Sequence, residues 1–126
     1  MPAGERPAEP ARTLPEVVRL TAARSGDAPA VVHRDRRLSW AELDALLDRA
    51  AAGYAERGLA AGDRVAVQLP NGVDWVVAVL GGLRAGLVVV PVNTAYTDPE
   101  LDHVLGDAGA RPVSYTHLTL PTNREV

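Results

Sequence analysis

The chain has 126 residues, with 13 basic side chains against 16 acidic ones and a net charge of -3, so it lacks the basic excess that nucleic-acid binding requires. Cys is absent, which excludes disulfides and thiolate metal sites, and every basic residue is Arg, because the chain has no Lys. The apolar stretch nearest to membrane-spanning length, Val73 to Val92, is broken by Asp74, Arg84 and three glycines. The start of the chain, with Glu5 and Glu9 among prolines, has neither the basic head nor the apolar core of a signal peptide, so a cytoplasmic location is expected.

In chain order, residues 1–12 are Pro- and Ala-rich without periodicity and read as a disordered leader. Thr13-Leu14-Pro15-Glu16 has the form of a capping box with Pro in the first turn. A helix follows to about Arg24, with Leu14, Val17, Val18 and Thr21 expected on its inner face. Gly26-Asp27-Ala28-Pro29 ends it. Ala30 to His33 and Arg37-Leu38 then read as a small hairpin around an Asp35-Arg36 turn, beside the main sheet. Ser39-Trp40-Ala41-Glu42 is a second capping box. Its helix places Leu43, Leu46, Leu47, Ala50 and Tyr54 on one face, and Gly58 closes it as the residue just past the helix end.

Residues Gly62 to Asn93 organise the rest. Arg64 to Leu69 is an apolar run stopped by Pro70-Asn71-Gly72, because Pro fixes φ and Asn and Gly tolerate positive φ. Val73 to Ala85 has helix length. Leu87 to Val92 is a second apolar run, and neither run alternates enough for a strand with a wet face, so both are expected to be buried on two sides. Strand, helix and strand of this size make a βαβ unit, and the fold class is α/β with a partial parallel sheet. Thr97-Asp98-Pro99-Glu100 is a third capping box, opening a helix with Leu101, Val104, Leu105 and Ala108 inward, and a further buried strand is expected to begin near Arg111.

Several features invite functional readings. Pro70-Asn71-Gly72 falls at the carboxyl end of a parallel strand, where α/β folds bind ligands, and equally serves as a plain turn and helix cap. Gly81-Gly82 and Gly86 lack the Lys-Ser/Thr of a phosphate loop and read as packing and capping glycines. His33 and His103 have no partners at metal-ligand spacing and read as surface or rim residues. Asp98, Glu100, Asp102 and Asp107 make an acidic, solvated helix face. Trp40 and Trp75 read as core residues, and Tyr96 as the residue closest to a pocket.

The series Leu38-Ser39-Trp40-Ala41-Glu42-Leu43, Gly62-Asp63-Arg64-Val65-Ala66-Val67, Leu69-Pro70-Asn71, Arg84-Ala85-Gly86, Pro91-Val92-Asn93, Glu100-Leu101 and Asp107-Ala108-Gly109-Ala110-Arg111 resembles the N-terminal part of AMP-forming acyl-CoA synthetases. The resemblance covers Thr13 to Arg111 and implies an ATP-dependent acid–thiol ligase. Such an enzyme uses ATP, Mg2+ and coenzyme A, and a fatty acid is the expected carboxylate. A malonyl-CoA synthetase-like ligase is the alternative within the family. The family's Ser/Thr/Gly-rich phosphate loop, its Tyr-Gly-x-Thr-Glu segment, its ribose-binding Asp and its catalytic Lys all lie beyond the point matched by Arg111. No catalytic, cofactor-binding or metal-binding residue is therefore expected in this chain, substrate-binding residues stay unassigned, and the chain alone is expected to be inactive. The other reading is a standalone, non-catalytic α/β binding module, which the open apolar edges of so small a sheet disfavour.

The end of the chain breaks the pattern. Val113 to Thr122 reads Val-Ser-Tyr-Thr-His-Leu-Thr-Leu-Pro-Thr, where the family has an apolar strand, and these ten residues resemble one reading frame of a transposon-end sequencing adaptor. The chain thus divides into 1–12 as leader, 13–112 as the N-terminal part of an adenylation domain and 113–126, including His117, as non-native read-through. The alternating β-formers of this segment also suit a native strand.

Overall fold

A computed structural model describes residues 13–92, 94–95, 99–100 and 103, together with the backbone of residues 111–113. The first helix, α1 (Leu14–Ser25), opens on Thr13, whose hydroxyl accepts from the Glu16 amide at 3.3 Å while Glu16 Oε1 accepts from the Thr13 amide at 3.0 Å. Both halves of the capping box are closed. Strands β1 (Pro29–His33) and β2 (Arg36–Ser39) pair antiparallel in a sheet of their own, with His33 opposite Arg36. Their turn is Arg34-Asp35, one residue before the expected Asp35-Arg36. Arg34 takes it at φ +58°, a left-handed conformation that costs a side-chain-bearing residue about 1–2 kcal/mol and that the sequence does not advertise.

Helix α2 (Trp40–Glu56) starts from the second closed capping box, Ser39 with Glu42, at 3.1 and 2.8 Å. It buries the five residues that its spacing selects: Leu43, Leu46, Leu47, Ala50 and Tyr54. Gly58, just past the end at φ +88°, makes the left-handed exit. Strand β3 (Arg64–Val67), helix α3 (Val73–Arg84) and strand β4 (Val88–Pro91) follow, and β3 and β4 pair parallel, Arg64 with Val88 through Val67 with Pro91. The strand expected near Arg111 is present as β5 (Arg111–Val113), parallel to β3 on its other edge, so the sheet order is β4-β3-β5. The helix expected after Pro99 falls largely outside the described residues.

The core lies where α2 and α3 cross over β3. Leu47, Tyr54, Val65, Val67 and Val77 are fully buried. The helices approach so closely that a Cβ added to Gly81 would stand 2.5 Å from the Ala50 Cβ, and one added to Gly82 would stand 2.8 Å from Val89 Cγ2. These glycines are packing residues, as expected from the sequence. Gly86, at φ +82°, is the capping one. Tyr54 spans the same seam. Its hydroxyl donates to the Ala78 carbonyl at 2.9 Å, satisfying a buried polar group, and burial pushes its phenol up to about 12.

Two burial expectations are corrected. On α1 the inward residues are Pro15 and Val18, with Thr21 and Ala22 half-buried, whereas Leu14 is 60% and Val17 44% exposed. The helix is rotated so that an apolar stripe of Leu14, Val17 and Leu20 faces out. Strand β3 is buried on both faces, but β4 is not: Val89 meets the helices at Gly82, and its neighbour Val88, pointing the other way, is 50% exposed. An uninterrupted apolar run does not distinguish a central strand from one with a single neighbour.

Candidate functional site

Strands β3 and β4 end together, with Val67 opposite Pro91 and the Val92 amide donating to the Val67 carbonyl at 2.9 Å. This carboxyl end of a parallel sheet is where α/β folds form ligand crevices. The chain leaves β3 through Gln68 and Leu69, and Leu69 packs on the core, which pulls the turn tight; Pro70 and Asn71 are exposed. Gly72 is the N-cap of α3. It offers no capping side chain, and its carbonyl accepts the first helical bond from the Val76 amide at 3.2 Å.

The hairpin closes over this turn. A Cβ built on Gly72 would lie 3.5 Å from both Nδ1 and Cε1 of His33, so the half-buried imidazole rests against the glycine. Three residues on, Arg36 Nη1 meets Asp74 Oδ1 at 3.2 Å, tying the hairpin to the first turn of α3. His33, the Pro70-Asn71-Gly72 turn, the start of α3 and the Pro91-Val92 strand end thus share one rim, with Thr94 and Ala95 exposed beside it. The rim contains no Lys, and among the described residues no three His, Cys, Asp or Glu side chains gather as metal ligands.

Other sequence-selected residues are placed as follows. Pro70-Asn71-Gly72 does serve as turn and cap. His33 belongs to the rim through its contact with Gly72, a contact that depends on hairpin docking and leaves no mark in local sequence. His103 and Glu100 are exposed. Trp40 and Trp75 are half-buried against the core rather than within it. Tyr96, Asp98, Asp102, Asp107 and His117 lie outside the described residues.

Among the described residues the densest charged cluster is elsewhere, between the three helices, and sequence reasoning missed it. The Arg84 side chain is only 10% exposed. Its Nη1 donates to the Asp44 carbonyl at 2.9 Å and to Asp48 Oδ1 at 3.1 Å, and its Nη2 donates to the Pro15 carbonyl at 2.8 Å. Asp44 Oδ1 lies 2.8 Å from Nη2 but accepts no aligned hydrogen bond, so that contact is coulombic. From outside, Arg19 donates to Asp48 Oδ1 at 2.8 Å and approaches Asp44 Oδ2 at 3.5 Å. The hydrogen bond from Arg19 holds the Asp48 carboxyl below its ordinary range. The only sequence signal was the i, i+4 pair Asp44 and Asp48 on α2, which reads equally well as a solvated face.

The chain belongs to the AMP-binding enzyme family, whose pattern it matches over residues 18–124. It is 40% identical over 104 residues to the long-chain-fatty-acid–CoA ligase of Salmonella typhimurium, a match covering 81% of this chain and 18% of that protein. It is 36% identical over 106 residues to the mitochondrial medium-chain acyl-CoA ligase ACSF2 of Rattus norvegicus, covering 82% and 17%. Among solved structures it is similar to the Klebsiella oxytoca NpsA N-terminal subdomain in complex with 3-hydroxyanthranilyl-AMSN, at a TM-score of 0.78 and 27% identity over 82% of this chain and 27% of that one. The chain therefore spans less than a fifth of the length of these curated relatives. Among the described residues no helix is long and apolar enough to cross a membrane.

Proposed function

We propose that this chain is the N-terminal part of a cytoplasmic, ATP-dependent acyl-CoA ligase acting on a fatty acid. The 40% identity to a long-chain-fatty-acid–CoA ligase carries this reading. In the reaction a carboxylate oxygen attacks the α-phosphorus of ATP, and pyrophosphate leaves. The thiolate of coenzyme A then attacks the acyl carbon of the mixed anhydride, and AMP leaves.

The described residues support this chemistry only as scaffold. Charge developing on transferring phosphates calls for fixed cations and a metal-holding carboxylate set. The chain has no Lys, and among the described residues no three His, Cys, Asp or Glu side chains gather as metal ligands, so no step is assigned to these side chains. What the chain supplies is one wall of a crevice at the ends of β3 and β4, held by the helical layer behind it.

Two boundaries belong to the same proposal: residues 1–12 as leader, and residues 113–126 as read-through outside the gene. The family match running on to residue 124 counts against the second.

The test is the product of the whole source gene, purified and offered ATP and coenzyme A with palmitate, octanoate, malonate or 3-hydroxyanthranilate. Pyrophosphate release and thioester formation with a fatty acid are expected, and none from the 126-residue chain. Adenylate formation without thioester, or turnover confined to malonate or the aryl acid, would overturn the fatty-acyl reading.

A further inference from the structure

Apolar burial alone would turn α1 the other way. Its larger side chains, Leu14, Val17 and Leu20, share the outer face, while the inner face offers Pro15, Val18, Thr21 and Ala22. A helix whose rotation is chosen by the hydrophobic effect buries its bulkiest stripe. This one displays it, so another interaction outweighs that preference.

The candidate is the charged cluster, since it meets α1 at two points on the inner side. Arg84, nine-tenths buried on α3, donates to the Pro15 carbonyl at the start of α1, and Arg19, one turn later, pairs with Asp48 and Asp44 of α2. Turning α1 to bury Leu14 and Val17 would carry Arg19 away from both carboxylates. Asp44 and Asp48 would then share Arg84 alone, and the Arg84 Nη2 donor would lose the Pro15 carbonyl. Leaving the nine-tenths-buried Arg84 without one of its acceptors is costly, and the half-exposed Arg19 pair adds a smaller term in the same direction, so the network penalises the other rotations.

We infer that the Arg84–Asp44–Asp48–Arg19 network fixes the rotation of α1 and holds its Leu14, Val17 and Leu20 stripe outward against the hydrophobic preference. The network acts as an orienting device and α1 as an element with two available faces. Replacing all four charges by apolar residues of similar size releases the choice to packing.

The absence of Cys makes the test clean, because one introduced thiol reports one position. Val17→Cys probes the outer face and Ala22→Cys the inner. Each is placed in the natural background and in a variant carrying Arg19→Met, Asp44→Leu, Asp48→Leu and Arg84→Met, and reacted with a maleimide in dilute solution. In the natural background Val17→Cys reacts faster. In the neutral variant its rate falls by about 10-fold or more and that of Ala22→Cys rises, because a thiol reacts as far as it is exposed and ionised. Unchanged rates would show that packing sets the rotation. A rise at both positions would show that the charges only hold α1 on. If the fourfold variant does not fold, Arg84→Lys carries the test: a point charge cannot reach the Pro15 carbonyl and both carboxylates together, so the two rates converge, and rates that stay apart refute the inference.

Discussion

Adding one methyl group at Gly81 tests the closest contact in the core. The Cβ of Gly81→Ala would stand 2.5 Å from the Ala50 Cβ, and that neighbour cannot swing aside because it is bonded directly to the α2 backbone. The two helices must separate. Overpacking of this kind costs about 1–3 kcal/mol, and the better helix propensity of Ala returns about 0.5–1 kcal/mol, so a net loss of about 1 kcal/mol, and at most about 2.5 kcal/mol, is expected. Gly53 is the internal control. It lies in α2 with nothing within 4 Å of its added Cβ, so Gly53→Ala carries only the propensity gain and stabilises by about 0.5–1 kcal/mol. Urea unfolding followed by circular dichroism in dilute solution reads both. With a slope of about 1–3 kcal/mol per molar urea, the midpoints should move in opposite directions by about 0.5 M. Moving the methyl across the seam, as Ala50→Gly with Gly81→Ala, should recover most of the loss through a coupling of about 1 kcal/mol. A higher midpoint for Gly81→Ala, matching Gly53→Ala, would mean that α2 and α3 do not cross this closely.

Alkaline titration probes the Tyr54 seam. The buried phenol keeps its proton to about 12 while the unfolded chain releases it near 10, so stability that is full below pH 10 drains away between pH 10 and 12. Tyr54→Phe should flatten that limb and, by removing the buried hydroxyl bond to the Ala78 carbonyl, lower stability near neutrality by about 1 kcal/mol. At the acid end, Asp48 contributes stability above the ordinary carboxylate range that is lost as pH falls through its depressed value. Asp48→Asn should shallow the acid limb, by less than about 1 kcal/mol because the pair with Arg19 is half-exposed. A limb of unchanged steepness in either variant would refute the assignment. Sequencing the source gene across the codons for Ala110 to Val126 without transposon adaptors should show the frame continuing into an apolar strand and a Lys-bearing loop; genomic codons for Val113 to Val126 followed by a stop would refute the read-through proposal.

What sequence could show depended on how local the cause was. The α2 face was legible to the residue, because Leu43, Leu46, Leu47, Ala50 and Tyr54 follow one period and nothing opposes it. Both described capping boxes were legible because their partners are three residues apart. On α1 the spacing selected Val18 and Thr21 correctly but Leu14 and Val17 wrongly, because the rotation follows the Arg84 bond to Pro15, which no local pattern carries. The hairpin turn slipped by one because Arg34 is an unusual residue for positive φ. At the candidate site the turn was legible from Pro70-Asn71-Gly72, whereas the position of His33 required knowing that the hairpin folds back over α3.

The sheet order has a consequence for how the molecule is made. Strand β3, the central one, pairs with β4 from Arg64 opposite Val88 to Val67 opposite Pro91, and with β5, far later in the chain, from Val65 opposite Arg111. During synthesis the first partner and its connecting helix leave the ribosome well before the second, so the nascent chain can settle α2, α3, β3 and β4 while the other side of β3 still presents unpaired amides and carbonyls. Until the strand that begins at Arg111 has emerged, that side is open to any extended segment nearby. A nascent chain paused shortly after Val92 is therefore the species for which chaperone capture matters most.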